Sequence, residues 1–149
     1  MSFRASVAAV RALPAGQRGI LLRAAFLLAA YSMGLKVLGI RRTEALLSRP
    51  VAALRDEDDA IAAIPRLVAA AARRAPWRPA CLPACLAAKR MLAAHGCDAQ
   101  LRVGVRPAKG GVEAHAWLER EGRRVFDIGE AGAEFAPFDG AIELGPRRA

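Results

Sequence analysis

The chain has 149 residues, of which 54% are apolar, so it can bury one core but not two, and we expect a single domain over residues 1–149. Its formal net charge of +9 is uneven: residues 1–50 carry +7, residues 51–100 carry +2, and residues 101–149 are neutral. Only 5% of the residues are aromatic, and no RNA- or DNA-reading motif accompanies the arginines, which argues against nucleic acid as a partner.

The first half of the chain, residues 1–75, is predicted to be helical. Apolar periodicity predicts a helix over Gln17–Leu38, ended by Gly39, and a brief helix within Arg41–Leu54. A third helix follows an acidic cluster at residues 56–59 and ends near Arg74. Pro65 lies within it and indicates either a kink or a later helix start.

The first of these helices is apolar, but we expect no transmembrane span. Twelve uncharged residues lie between Arg23 and Lys36. As a helix they would rise about 18 Å, well short of the roughly 30 Å hydrocarbon core of a bilayer. A helix that is buried or faces a partner fits this length better than a membrane anchor.

The cysteines indicate the compartment. Cys81, Cys85 and Cys97 are odd in number, and we find no signal peptide, so we expect reduced thiols and a cytoplasmic protein. A metal site could combine these cysteines with His95, but the Cys-x3-Cys and His-x-Cys spacings are not usual zinc patterns. We expect no metal and no cofactor.

Residues 76–130 are predicted to form a catalytic core. A helix runs over Cys81–His95 and is stopped by Gly96. The apolar period then changes from 3.6 to 2, which predicts three strands within Leu101–Arg106, Val112–Glu119 and Arg123–Ile128. Helices followed by a small antiparallel sheet define an α+β fold.

Cys81 is the candidate nucleophile. It lies where a loop ends and a helix begins, and Pro83 is typical of a first helical turn. The positive end of the helix dipole and the free backbone N–H groups there favour a thiolate, the form of cysteine that attacks carbonyls.

His115 and Asp127 lie on successive predicted strands and are the candidate base and its orienting carboxylate. A three-residue loop, Arg120 to Gly122, would pair Glu119 with Arg123 and place His115 directly opposite Asp127. A two-residue Glu121-Gly122 turn would shift the register by one residue and separate them. Cys81, His115 and Asp127 follow the chain order of a nucleophile, base and orienter.

The segments around these residues resemble a known family. Trp77-Arg78-Pro79-Ala80-Cys81-Leu82 followed by a helix, the strand Leu101–Arg106, and Ala114-His115-Ala116-Trp117-Leu118-Glu119 are similar to the transglutaminase-like leader peptidases of lasso-peptide biosynthesis. The resemblance covers about Trp77 to Asp127. That family often has serine where this chain has Cys85, and we interpret Cys85 as a packing residue.

The resemblance implies a transglutaminase-like or papain-like core and a cysteine protease that cleaves the leader from a lasso-peptide precursor. It implies Cys81 as nucleophile, His115 as base and Asp127 as third member. The implied partners are the precursor peptide, a separate leader-recognition protein and the ATP-dependent cyclase that closes the macrolactam. Two alternatives stay open: an acyl transferase of transglutaminase type, and a basic helical adaptor without catalysis.

Overall fold

The computed structural model describes residues 11–47, 58–129 and 135–137. Within these residues four helices precede a small sheet: α1 (Ala15–Val37), α2 (Gly39–Leu47), α3 (Asp58–Arg74) and α4 (Cys81–Ala94). The strands are β1 (Gln100–Ala108), β2 (Gly111–Arg120), β3 (Arg123–Phe126) and β4 (Ala136–Pro137), in the antiparallel order β3-β2-β1-β4. The α+β fold predicted from the sequence is therefore confirmed.

Over the part of the chain that the structure describes, the predicted helices occur in the predicted order. The predicted helix Gln17–Leu38 is α1, and Gly39 follows it with a positive φ of 73°. The brief helix predicted within Arg41–Leu54 is α2, which begins two residues earlier, at Gly39, and runs to Leu47. Residues 48–57 lie outside the described residues. The later helix start suggested by Pro65 is wrong, because α3 already begins at Asp58 and continues through the proline.

By length and composition alone, α1 could cross a membrane, and it is the one such helix among the described residues. This is weak evidence, because core helices of soluble proteins pass the same test. One face of α1 does contribute to the core, through Ala24, Leu27, Leu28 and Tyr31. Its opposite face leaves large apolar side chains exposed, namely Leu22, Phe26, Met33 and Val37.

The helix that carries Cys81 lies at the centre of the fold. From Pro83 to Ala88 every residue of α4 is buried, and Met91 and Leu92 extend this buried surface. Small alanine side chains let neighbouring backbones approach α4 closely. The core cluster joins α1, α3 and α4 to the sheet residues Leu101, Ala116, Leu118 and Phe126.

The β2–β3 connection differs from the expected three-residue loop. Arg120 pairs with Arg123, so the turn is the two-residue Glu121-Gly122, in which both φ angles are positive, at 52° and 73°. This conformation is that of a type I′ turn, whose twist matches the twist of the flanking strands. The predicted pairing of Glu119 with Arg123 is therefore wrong.

A β-bulge corrects the effect of that shorter turn. Glu119 pairs with Arg124, but its neighbour Leu118 pairs with Phe126, which leaves Val125 as an extra residue on β3. One extra residue restores the alternation that the turn had shifted. Asp127, just beyond β3, therefore returns to the face of the sheet that carries His115.

Candidate active site

Cys81 is the first residue of α4 and is partly buried. Ala80 caps the helix in an extended conformation, with φ −67° and ψ 170°, and supplies no side-chain hydrogen bond to it. The first backbone N–H groups of α4 therefore have no capping side chain, and Cys81 lies in this first turn. Such a helix end stabilises negative charge, whether on a thiolate or on an oxyanion.

His115 and Asp127 are in direct contact. The His115 Nε2 and Asp127 Oδ1 atoms are 2.6 Å apart, and their side chains are only 11% and 18% exposed. Because a carboxylate only accepts hydrogen bonds, His115 donates through Nε2, which leaves Nδ1 as the ring nitrogen with a lone pair. The contact expected from the sequence is thus present, although the strand pairing used to predict it is not.

Asp127 has a donor on each of its oxygens. The backbone N–H of Gly129 also donates to Oδ1, at 2.7 Å, and Arg124 donates through Nη1 to Oδ2, at 2.9 Å. Three donors hold the carboxylate in one orientation against the imidazole.

The imidazole of His115 is enclosed on several sides. The Phe135 ring stacks on it at a centroid distance of 4.9 Å, and the Trp117 ring lies 6.3 Å away at a small interplanar angle of 21°. Gly129 also lies against the ring, because a Cβ at that position would fall 2.5 Å from His115 Cε1. These neighbours leave His115 little freedom to rotate away from Asp127.

A glycine on β1 makes room for this aromatic packing. Gly104 pairs with His115 across the β1–β2 ladder. A Cβ on Gly104 would lie 2.8 Å from Cη2 of Trp117 and 3.0 Å from Cβ of Phe135. The sequence pattern marked Gly104 only as a strand residue, whereas its role is to admit two aromatic side chains.

Cys85 connects α4 to the strand that carries His115. Its buried thiol donates to the backbone oxygen of Ala116, with a distance of 3.2 Å between Sγ and O. Burial raises the pKa of Cys85 well above its ordinary value, and the negative charges of Cys81 and Asp127 raise it further. Cys85 therefore links α4 to β2 as a buried, hydrogen-bonded thiol.

Only two of the three predicted site residues are linked by a hydrogen bond. His115 and Asp127 are hydrogen bonded, whereas within the described residues the Cys81 thiol has no such bond to His115. Hydrogen bonds of catalytic groups are often long without substrate and shorten when it binds. The sequence did not indicate Arg124, Gly129 or Phe135 as neighbours, because loop contacts and a bulge bring them to the site.

The described residues contain no group of three or more His, Cys, Asp or Glu side chains that could hold a metal ion. Two of the four residues weighed for a metal site have other hydrogen-bond partners. Cys85 bonds to Ala116, as above, and Cys97 accepts a hydrogen bond from Nη1 of Arg120 at 3.4 Å. All three cysteines are free thiols.

A cysteine at the start of a buried helix, with a histidine–carboxylate pair at the adjoining sheet, is an arrangement suited to a thiol enzyme. The family model of the transglutaminase-like superfamily matches residues 25–138, about three quarters of the chain. The chain belongs to this superfamily, whose members are generally cysteine peptidases or acyltransferases. No curated protein and no solved structure matches it significantly.

Proposed function

We propose that this protein is a cysteine peptidase that removes the leader from a lasso-peptide precursor, with Cys81, His115 and Asp127 as its catalytic residues. The observation that carries the proposal is the His115–Asp127 hydrogen bond of 2.6 Å. It is supported by the match to the transglutaminase-like superfamily and by the position of Cys81 as the first residue of α4. The lasso-peptide substrate comes from the resemblance of the segments between Trp77 and Asp127 to leader peptidases.

The first half of the reaction forms a thioester. His115 takes the Cys81 proton at Nδ1, while Asp127 holds the Nε2–H and stabilises the imidazolium. The thiolate attacks the carbonyl carbon of the scissile peptide bond, and the backbone N–H of Cys81 donates to the oxyanion. His115 then gives its proton to the leaving amine, which is the new N-terminus of the core peptide.

The second half releases the leader. A water molecule, deprotonated by His115, attacks the thioester carbonyl, and the leader leaves with a free carboxylate while the proton returns to the thiolate of Cys81. If an amine attacks instead, the same thioester gives an acyl-transfer product. Peptidase and acyl transferase therefore share every residue and differ only in the acceptor.

The proposed setting is the cytoplasm, where the protein acts beside a separate leader-recognition protein and the ATP-dependent macrolactam cyclase. The exposed apolar side chains of α1, including Phe26 at 70% and Met33 at 65%, are the candidate surface for a protein partner. The charge of +7 over residues 1–50 would favour a partner with acidic groups around its apolar contact.

The experiment is mass spectrometry of the precursor peptide incubated with this protein and its leader-binding partner. Wild type is compared with Cys81→Ala and with Cys85→Ala, the matched control that removes the neighbouring thiol. We expect one cut at the leader–core junction, lost in Cys81→Ala and kept in Cys85→Ala. Full activity in Cys81→Ala would refute the proposed nucleophile.

Added primary amines separate the two reactions. A leader that ends in a free carboxylate at every amine concentration supports the peptidase, whereas conversion of most of the leader to an amine conjugate would identify an acyl transferase. Iodoacetamide tests the adaptor alternative. Labelling of Cys81 that falls when His115 is replaced by Gln supports an activated thiol, and labelling independent of His115 would favour an adaptor.

A further inference from the structure

We propose that Arg124 is a positioning residue that holds the carboxylate of Asp127 in the plane from which Oδ1 accepts the His115 hydrogen bond. The inference rests on the proposed function, because it concerns how the proposed base is held. Arg124 itself need touch neither the substrate nor the thiol, since its effect passes through Asp127.

The hydrogen bonds divide the two oxygens of Asp127 between different tasks. Oδ1 accepts hydrogen bonds from His115 and from the Gly129 N–H. Oδ2 accepts one from Nη1 of Arg124, at 2.9 Å. Rotation of the carboxylate about its Cβ–Cγ bond would break bonds on both oxygens at once. Without Arg124 only the Oδ1 side would resist that rotation, and Oδ2 would be free to swing toward water.

Arg124 is itself held in place by an aromatic ring. Its guanidinium carbon lies 4.6 Å from the ring centroid of Trp117, a stacked cation–π arrangement. Trp117 is buried and donates through Nε1 to Glu119 Oε1 at 2.7 Å. A planar guanidinium can stack on the ring and donate to the carboxylate together, which the single ammonium of lysine cannot reproduce.

The β-bulge is what makes this contact possible. Residues three apart on a regular strand point to opposite faces of a sheet. Arg124 pairs with Glu119 before the extra residue, Val125, and Asp127 follows it, so both side chains lie on the face that carries His115 and Trp117. The bulge therefore places a cation beside the carboxylate that orients the histidine.

The Arg124–Asp127 ion pair is too exposed to be explained by stability. The side chain of Arg124 is 41% exposed, and ion pairs of that kind contribute little to folding. Catalysis is far more sensitive, because a displacement of about 1 Å in a reacting group can cost on the order of 100-fold in rate. Loss of Arg124 should therefore reduce the reactivity of the site and leave the fold intact.

The test compares Arg124→Gln and Arg124→Lys with Arg123→Gln. Arg123 is the adjacent exposed arginine on β3, and its replacement removes the same charge beside the turn. The first readout is the rate of iodoacetamide labelling at Cys81, which requires no peptide substrate. We expect a reduction of about 3- to 30-fold in Arg124→Gln, a smaller one in Arg124→Lys, and the wild-type rate in Arg123→Gln.

The second readout is the tautomer of His115, measured by ¹⁵N NMR. The chain has two histidines, so the His95→Gln variant assigns both sets of signals. Wild type should show the Nε2–H tautomer, and Arg124→Gln should show a mixture, with a thermal midpoint within about 4 °C of wild type. A structural effect alone would lower that midpoint without mixing the tautomers.

Two results would overturn the inference in distinguishable ways. A wild-type labelling rate and a single Nε2–H tautomer in Arg124→Gln would show that Arg124 does not position Asp127. This result would not contradict the proposed function. If Cys81 is labelled at the same rate in His115→Gln as in wild type, His115 is not the base. The proposed role of Arg124 would then also be wrong.

Discussion

Outside the proposed catalytic residues, Gly129 should be the position near the imidazole where a substitution lowers activity most. In Gly129→Ala the new Cβ would lie 2.5 Å from Cε1 and 2.6 Å from Nε2 of His115. Reaching 3.4 Å, where ordinary van der Waals contact begins, requires a shift of about 0.9 Å between the two residues. If the ring takes that shift, the 2.6 Å bond to Asp127 is lost or badly stretched.

The expected loss in activity follows from that shift. Misplacement of a reacting group by about 1 Å costs on the order of 100-fold, so we expect Gly129→Ala to reduce the rate of leader cleavage by roughly that factor. Backbone strain adds nothing, because φ of Gly129 is not in the left-handed region. The assay is single-turnover cleavage of the precursor, supported by the labelling rate of Cys81.

Gly111→Ala is the matched control for this prediction. It adds the same methyl group at the start of β2, where a Cβ would meet nothing within 4 Å. Both variants should unfold at similar temperatures, and only Gly129→Ala should lose activity. Cleavage by Gly129→Ala within twofold of the control would show that the loop yields instead of the imidazole, and would refute the claim that a rigid glycine contact holds the ring.

Three further changes test the orienting carboxylate, the buried thiol and the exposed face of α1. Asp127→Ala should lower kcat by about 10²–10⁴-fold while precursor binding, measured by fluorescence anisotropy, is retained; an unchanged kcat would remove Asp127 from the site. The pKa of Cys85 is raised in the folded state, so the thiol of the unfolded chain loses its proton at lower pH than the folded one. The free energy of unfolding should therefore fall as the pH rises above about 8.5, by up to about 1.4 kcal/mol per pH unit. Urea titrations should show this slope in wild type and in Cys97→Ala but not in Cys85→Ala, and an equal slope in all three would contradict it. Replacing Phe26 and Met33 with serine should change the free energy of unfolding by less than about 1 kcal/mol and raise the KM for the leader–partner complex, and an unchanged KM would exclude this face as the partner surface.

Local sequence signals were sufficient for the helices and for most of the strands. Apolar periodicity with Gly39 and Gly96 as stops located α1 and α4, because helix ends depend on residues within a few positions of the boundary. Alternation located β1 and β2 in the same way. Pro65 shows the limit of such signals, because α3 continues through the proline and packs Ile64 and Val68 into the core.

The site itself was predicted in part, and for a reason that was partly wrong. Ala116 and Leu118 of β2 are buried, whereas Ala114, two residues earlier on the same face, is exposed. The two-residue turn and the bulge each shift the register by one residue in the same direction, so the total shift is two residues. A shift of two residues returns Asp127 to the face that carries His115 but does not place it directly opposite His115. A bulge leaves no clear mark in the alternation of a four-residue strand, so the sequence could not indicate it.

The sequence by itself determined the order of elements, the α+β class, and which side chains could supply a thiol, an imidazole and a carboxylate, because these depend on residue type and short-range periodicity. Only the tertiary structure decided how those groups meet. The 2.6 Å contact of His115 with Asp127, the guanidinium of Arg124 behind it and the close approach of Gly129 join segments through a turn, a bulge and a loop. Such contacts depend on differences of a few tenths of an ångström that the turn, the bulge and the loop set together, and no periodic pattern in the sequence encodes them.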